Sequence, residues 1–242
     1  MKTFARREGE GWRLDGVKRW ISQGTIADVA VVWARTEEGI RGFLVERGTP
    51  GFSSRPIRKT LSLRASTTAT LFLEGVVVPE ESRLPAALGL KAPLGSINEG
   101  RLGIAWGALG AASACYETAL AYAKGRTQFG RAIAGFQLTQ EKLVDMLGEL
   151  TKGQLLALRV SRLHDEGRAR PEHISLAKRN NVREALRIAR EARSILGANG
   201  ISLEFHVMRH LCNLESVYTY EGTHEIHTLL IGHAITGLSA FN

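Results

Sequence analysis

The chain has 242 residues, 44% hydrophobic and 23% charged, which is enough to bury one large core or two smaller ones. This composition excludes collagen-like and intrinsically disordered chains. The formal net charge is +8, but the basic residues alternate with acids along predicted helices, which argues against a nucleic-acid partner. Apolar runs are too short to span a membrane, and residues 1–10 lack the apolar stretch of a secretory signal. With two cysteines, these features predict a cytoplasmic protein.

Residues 1–92 are predicted to form a partial antiparallel β domain. Runs rich in Val, Leu and Phe predict strands at residues 28–35, 40–46 and 70–78. Turn signals are found at Asp15-Gly16, Glu38-Gly39, residues 49–51 and Glu74-Gly75. Apolar residues flank the first of these turns, and Pro79 ends the last strand.

Residues 93–242 are predicted to form an antiparallel four-helix bundle, so the fold class is α+β. Two apolar stripes have the helical period, at Leu143, Met146, Leu147, Leu150 and Leu158 and at Ile174, Ala177, Ala185, Ile188, Ala192 and Ile195. Helix ends are expected near Gly125, Gly167 and Gly200, and Pro171 is expected to open the third helix. A short helix is expected around residues 203–212, and a final helix over residues 223–238.

Residues 219–225 (TYEGTHE) carry the clearest chemical signal, because they place the Glu221 carboxylate on a glycine turn just ahead of a helix. The same residues also suit an ordinary helix start, with Thr223 as the cap and Glu225 in the first turn, where the helix dipole favours an acid. Taken alone, this segment leaves both interpretations open.

In context, the segment resembles the catalytic segment of the acyl-CoA dehydrogenase family, and further motifs match in the same order. They are residues 18–22 (KRWIS), 126–130 (RTQFG), Gln137 and 196–200 (LGANG). Within the family, residues 98–107, 178–181 and 220–227 are most similar to the glutaryl-CoA dehydrogenase branch.

The resemblance implies FAD-dependent α,β-dehydrogenation of an acyl-CoA thioester, with glutaryl-CoA as substrate and decarboxylation to crotonyl-CoA. Glu221 would remove the α-proton, its backbone N–H would hold the thioester oxygen, and the β-hydride would pass to flavin N5. On the acyl-CoA side, the resemblance implies Asn98, Arg101 and Gly222.

The resemblance also implies a set of cofactor contacts, partly across a subunit interface of a dimer of dimers, and an electron-transfer flavoprotein as partner. These contacts are Trp20, Ile21, Ser22, Arg126, Gln128, Phe129, Gln137, Gly197, Ala198, Thr223, Glu225 and Phe241. Two positions depart from the family pattern, because Ser194 stands where many members have glutamine and Ala198 where they have a second glycine.

Met1 corresponds to the middle of the family's β domain, so the resemblance implies a C-terminal portion without the N-terminal helical domain. Two other functions remain open. One is a catalytically inactive helical self-association module. The other is a metal protein that uses histidines and a cysteine whose spacing does not fit His-Glu-x-x-His, namely His206, His210, Cys212, His224 and His227.

Overall fold

A computed structural model describes residues 1–240 and divides the chain into two units, with the boundary between Ser96 and Ile97. The first unit contains a β-sheet and the second consists mainly of helices. The predicted α+β class is therefore confirmed. The predicted cofactor contact Phe241 lies outside the described residues.

Six strands of the described first unit form one sheet in the order β4-β3-β1-β2-β6-β5. Their bounds are Phe4–Glu8 (β1), Gly11–Ile21 (β2), Val29–Thr36 (β3), Gly39–Glu46 (β4), Phe52–Pro56 (β5) and Ala69–Val78 (β6). The sheet is mixed, because β1 pairs with β3 in parallel and the remaining neighbours are antiparallel. Two strands, β1 (FARRE) and β5 (FSSRP), were not predicted because their sequences are too polar to show apolar alternation. Leu14, Phe43, Val45 and Val76 are fully buried in the core of this sheet.

The turn predicted at Asp15-Gly16 is wrong, because β2 continues through these residues. Instead, the register of β2 against β6 shifts there, opposite Gly75. Asp15 Oδ1 accepts a hydrogen bond from the Gly75 N–H at 2.8 Å, and Gly75 has a φ of 68°. Glu74-Gly75 likewise lies inside β6 and not between strands. Both glycine pairs form facing bulges, which need the same permissive backbone as a turn.

Five α-helices are present among the described residues of the chain, which are the four of the predicted bundle and the short helix expected before the last of them. Their bounds are Lys91–Gly125 (α1), Gln137–Asp165 (α2), Pro171–Ile195 (α3), Val207–Thr219 (α4) and His224–Thr236 (α5). The short helix expected around residues 203–212 is α4, which begins later and runs further than predicted. Thr223 caps α5, and Gly237 ends it in the left-handed region.

None of the helices within residues 1–240 combines the length and apolarity needed to cross a membrane.

The core of the helical unit is organised around α3, which packs against α2, α4 and α5. The predicted α3 stripe is buried apart from Ile195, which is half-buried. On α2, the prediction is only partly right, because Leu147 and Leu158 are 47% and 38% exposed. The buried face of α2 instead passes through Leu143, Met146, Leu150, Gly153, Ala157 and Val160.

Asn181 connects three helices in this core. Its buried Nδ2 donates to the Ala105 carbonyl of α1 at 3.3 Å and to the Gly153 carbonyl of α2 at 3.2 Å. A Cβ on Gly153 would lie 2.7 Å from Leu109 Cδ2 and 3.1 Å from Asn181 Oδ1. The close packing of α2 on its neighbours therefore requires glycine at position 153.

We expect Gly153→Ala to destabilise the chain by about 1–3 kcal/mol, because the added methyl group overpacks the core. Gly110→Ala on exposed α1 surface is the matched control, because its Cβ would meet nothing within 4 Å. There, the better helix propensity should stabilise the chain by about 0.5–1 kcal/mol. Urea unfolding midpoints measure both effects, and equal shifts for the two variants would contradict this account.

Candidate functional site

The link between α4 and α5 contains two successive residues with positive φ, Glu221 at 53° and Gly222 at 92°. Glycine adopts this region freely, but for glutamate it is strained by roughly 1–3 kcal/mol. Such a conformation persists only where surrounding contacts fix the backbone.

Two buried cations supply those contacts. Lys178 Nζ, from α3, donates to the Tyr220 carbonyl at 2.5 Å and to the Gly222 carbonyl at 2.6 Å. Arg101 Nε, from α1, donates to the Glu221 carbonyl at 2.7 Å. Three consecutive carbonyl groups are thus each held by a charged donor, and such hydrogen bonds are stronger than neutral ones.

The Glu221 side chain is exposed and lies over α1 at Gly100. A Cβ on Gly100 would be 3.5 Å from Glu221 Oε2 and 3.6 Å from its Cδ. The Glu221 N–H makes no hydrogen bond to any residue within 1–240. A carboxylate and a free backbone donor of one residue are therefore both available to a ligand.

Burial of the two cations changes their proton affinities. Lys178 is only 1% exposed, and this burial, followed by the charge of Arg101, lowers its pKa to about 8. Burial also lowers the pKa of Arg101. The Glu221 carboxylate opposes both shifts, since it favours the charged forms. Burial and then the same carboxylate raise the pKa of the Tyr220 phenol.

His227 lies in the same cluster, fully buried on α5, with its ring beside the backbone of Glu221. Burial and then Lys178 and Arg101 lower the pKa of this imidazole to about 4, so it is neutral at pH 7. A Cβ on Gly222 would lie 2.9 Å from Arg101 Nη2 and 3.1 Å from His227 Nε2. Space as well as backbone conformation therefore restricts position 222 to glycine.

The predicted acyl-CoA residues are brought together here. Asn98 Oδ1 accepts a hydrogen bond from Arg101 Nη1 at 2.9 Å, and Arg101 in turn contacts the backbone of Glu221. Gly222 follows directly. The three residues therefore adjoin the proposed base.

The predicted cofactor contacts Thr223 and Glu225 form the first turn of α5. Thr223 Oγ1 accepts a hydrogen bond from the Ile226 N–H at 3.3 Å. Glu225 is exposed, and its own backbone N–H, followed by the Thr223 hydroxyl, lowers the pKa of its carboxyl group. Next to them, the ring of His224 stacks on that of Tyr218, with centroids 4.6 Å apart.

A second group of predicted cofactor residues lies at a two-residue hairpin between β7 (Thr127–Gln128) and β8 (Arg131–Ala132). At its tip, Phe129 has a φ of 52° and Gly130 a φ of 81°, so both are left-handed as in the primed hairpin turns. This turn leaves the Phe129 ring 93% exposed. An open groove of about 920 Å³ beside it is lined by Gln128, Phe129, Gln137 and Ser194, among others. Arg126 is exposed just before the hairpin and does not line the groove.

Gly197 and Ala198 are exposed in a 3₁₀ turn, Gly197–Ile201, at the end of α3. Gly197 has a φ of 58°. Within the same turn, a Cβ on Gly200 would lie 2.4 Å from the Arg193 carbonyl oxygen. The turn therefore depends on Gly200 for its close return to α3.

In the sheet unit, Trp20 occupies a second register shift of β2, with a φ of 63° and an indole that is 59% exposed. Ile21 is half-buried and Ser22 is exposed. The Arg19 guanidinium lies 5.3 Å from the Trp20 ring centroid. The strand irregularity thus presents an aromatic ring to solvent.

These features fit a flavin dinucleotide. Two aromatic rings, Trp20 and Phe129, are exposed on residues with unfavourable positive φ, although burial would be favourable for each ring. The groove next to Phe129 offers side-chain amides from Gln128 and Gln137, which suit the polar groups of such a ligand.

Lys178 and His227 belong to segments that carry the family resemblance, but neither was predicted to have a catalytic or cofactor-binding role. A signal for Lys178 was present, because it lies on the apolar stripe of α3 between Ala177 and Asn181. A lysine in that register is expected to be buried with polar partners. For the metal alternative, residues 1–240 contain no group of three His, Cys, Asp or Glu side chains arranged to hold an ion.

Comparison with known proteins gives two family matches. Residues 1–76 match the acyl-CoA dehydrogenase middle domain, and residues 88–236 match the acyl-CoA dehydrogenase C-terminal domain. The mitochondrial short-chain specific acyl-CoA dehydrogenase of Bos taurus is 36% identical over 240 residues, covering 96% of this chain and 58% of that protein.

Two solved structures of glutaryl-CoA dehydrogenase from Mycobacterium smegmatis align over the whole chain with TM-scores of 0.99. They are 60% and 55% identical, and the alignments cover 62% and 63% of those chains. The second was solved in complex with FADH2. The chain therefore spans less than two thirds of the length of these similar proteins.

We expect the stability of the chain to fall as the pH drops from 6.5 to 4. The unfolded chain takes up a proton on residue 227 near pH 6.5, whereas folded His227 resists protonation until about pH 4. Between these pH values the effect lowers the free energy of unfolding by up to roughly 3 kcal/mol, and it should be absent in His227→Leu. Urea unfolding at several pH values measures it, with exposed His233→Leu as the control. An unchanged pH slope in His227→Leu would contradict the assignment.

Proposed function

Because the chain belongs to the acyl-CoA dehydrogenase family, we propose that it contributes to the FAD-dependent α,β-dehydrogenation of an acyl-CoA thioester. The observation that carries this proposal is the geometry of Glu221. Its exposed carboxylate and its free N–H belong to one strained residue, whose backbone is held from both sides by Lys178 and Arg101.

Glu221 is proposed as the base that removes the α-proton of the thioester. This proton is weakly acidic, so its removal requires a carboxylate close to the α-carbon and a polarised carbonyl group. The Glu221 N–H is the proposed donor to the thioester oxygen. Because both groups are on one residue, the contacts that fix its backbone fix the two groups relative to each other.

We propose that FAD is held by residues of four segments of the chain. Trp20 and Ser22, at the end of β2, would contact the ring system, with Ile21 between them. Thr223 and Glu225 would contact the cofactor from the N-terminus of α5, where phosphate groups are favoured. Gln128, Phe129 and Gln137 would hold the dinucleotide, and Arg126 would bind its pyrophosphate. Gly197 and Ala198, which follow the groove residues Ser194 and Ile195, would allow the backbone to approach the same cofactor. When bound, FAD would supply the two-electron acceptor that a dehydrogenation requires.

For the substrate, we propose glutaryl-CoA, with decarboxylation to crotonyl-CoA. Support comes from the 60% identity to a protein named glutaryl-CoA dehydrogenase. On the acyl-CoA side, Asn98, Arg101 and Gly222 form one connected set beside the base. Two Arg101 donor groups are already bonded to Asn98 and Glu221, so we propose that Arg101 acts by holding these groups.

We further propose that copies of this chain associate, as a dimer of dimers, and that an electron-transfer flavoprotein accepts the electrons. The support for association is a second apolar stripe on α2, opposite its buried face. This outer stripe consists of exposed residues at helical spacing, Val144, Leu147, Leu155 and Leu158. Exposed apolar stripes of this kind commonly mark protein interfaces.

We expect Glu221→Gln to lower the turnover of an acyl-CoA by about 10²–10⁴-fold, because the variant lacks the base. Glu204→Gln, the same change at an exposed position, is the matched control and should retain turnover. The measurement is the bleaching of protein-bound flavin by glutaryl-CoA without oxygen, normalised to the flavin content from the visible spectrum.

Full turnover by Glu221→Gln at equal flavin content would show that another group is the base. A chain that binds no flavin and bleaches none, but still associates, would favour the alternative of a helical self-association module.

Association is tested separately by Leu155→Glu. A charge within the outer stripe should raise the dissociation constant at least tenfold, because it removes the burial of a leucine, worth about 1.5–3 kcal/mol. Sedimentation equilibrium of the purified chain measures this change. Leu203→Glu, at a leucine that is 97% exposed outside α2, is the control. Equal masses for both variants would place the interface elsewhere.

A further inference from the structure

We propose that Lys178 is a positioning residue, which acts through the Tyr220–Glu221 peptide group to aim and polarise the Glu221 N–H. This inference rests on the proposed function, in which that N–H holds the thioester oxygen. It assigns a role to a buried lysine that contacts the backbone on either side of Glu221.

The aiming follows from peptide geometry. The peptide bonds of the described residues are trans, so the C=O and N–H of one peptide group point in opposite directions. The Tyr220 carbonyl accepts a hydrogen bond from Lys178 Nζ at 2.5 Å. The N–H of the same peptide group, which belongs to Glu221, therefore points away from α3. There, no described residue accepts its hydrogen bond.

The polarisation follows from the charge of the donor. An ammonium group bonded to the carbonyl oxygen withdraws electron density from the peptide group, which makes its N–H a stronger donor. The effect is largest in a site of low dielectric, and Lys178 is 1% exposed. A donor strengthened in this way would stabilise negative charge on a thioester oxygen, which develops only as the α-proton leaves.

Bridging two carbonyl groups with a buried charged side chain requires the loss of the hydration of that charge. The ammonium of Lys178 bonds to the carbonyls of Tyr220 and Gly222. Burial of such a charge is unfavourable, as its lowered pKa of about 8 reflects. A neutral amide could donate to the same carbonyls with less loss of hydration. The charge strengthens these two hydrogen bonds and, in this proposal, also polarises the Glu221 N–H.

Several titratable groups surround Lys178, and they affect different pH ranges. The α1 residue Arg101 lowers the pKa of Lys178, and Glu221 raises it. On α5, His227 has a pKa of about 4, and burial lowers the pKa of His224 below 6.5. The pKa of Tyr220 is raised above 10, its ordinary value. A change centred near pH 8 therefore reports on Lys178 itself.

The first test is spectroscopic and needs neither flavin nor turnover. Labelling with ¹³C at tyrosine carbonyls and ¹⁵N at glutamate amides selects only the Tyr-Glu peptide groups, which occur twice, at Tyr116-Glu117 and Tyr220-Glu221. We expect the Tyr220–Glu221 resonance to move with a midpoint near pH 8 in the wild type. In Lys178→Gln it should not move, and the Tyr116–Glu117 resonance in α1 is the internal control.

The second test separates positioning from structure by kinetics. Lys178→Gln should lower kcat per bound flavin by about 10–100-fold, while KM changes less than threefold. In the wild type, kcat should fall above pH 8, where Lys178 loses its charge. Lys178→Arg keeps the charge, so it should recover part of kcat, and its kcat should fall only at higher pH. Exposed Lys152→Gln is the matched control. A purely structural lysine would lower the flavin content and leave kcat per bound flavin unchanged.

The inference is overturned if the Tyr220–Glu221 resonance does not titrate near pH 8, or if Lys178→Gln keeps full kcat per bound flavin. Failure of the proposed function is a different result, because wild type and Glu221→Gln would then be equally inactive. If Lys178→Gln does not fold, the wild-type titration and Lys178→Arg still decide the matter.

Discussion

The candidate site depends on one arrangement, the capture of three consecutive carbonyl groups by Lys178 and Arg101. These charged donors hold the backbone of the link in the conformation that places Glu221 in the left-handed region. The arrangement requires α1 and α3 to stand on either side of the link. Their spacing is set in turn by the core, where Asn181 and Gly153 fix α1, α2 and α3 together. Packing far from Glu221 thereby determines its geometry.

Two of the proposed cofactor segments, one in each unit, expose an aromatic ring through the same backbone feature. A residue with positive φ interrupts a regular strand or forms a tight turn, and its aromatic side chain is left in solvent. Trp20 sits in a strand irregularity and Phe129 at a hairpin tip. In both places the backbone decides the exposure of the ring, so the ring is available before any ligand arrives. Such preorganisation lowers the entropy lost on binding.

Much of the fold could be predicted from the sequence, because apolar periodicity records which faces are buried. The stripe of α3 and its start at Pro171 are examples. The predicted turn at Asp15-Gly16 failed since a bulge and a turn require the same residues. Glu221 could be identified from its motif, but its support could not. Lys178 is 42 residues away in sequence, and only the folded chain brings it to the Tyr220 carbonyl.

The left-handed backbone of Glu221 has a consequence for how this position tolerates change. Glycine would occupy the same conformation without steric strain, so a chain selected for stability alone would favour glycine there. The glutamate persists in a conformation that works against folding, and two buried cations compensate for it. Position 221 is thus a local trade-off between stability and activity, in which the residue that destabilises the fold is the one that the proposed chemistry needs.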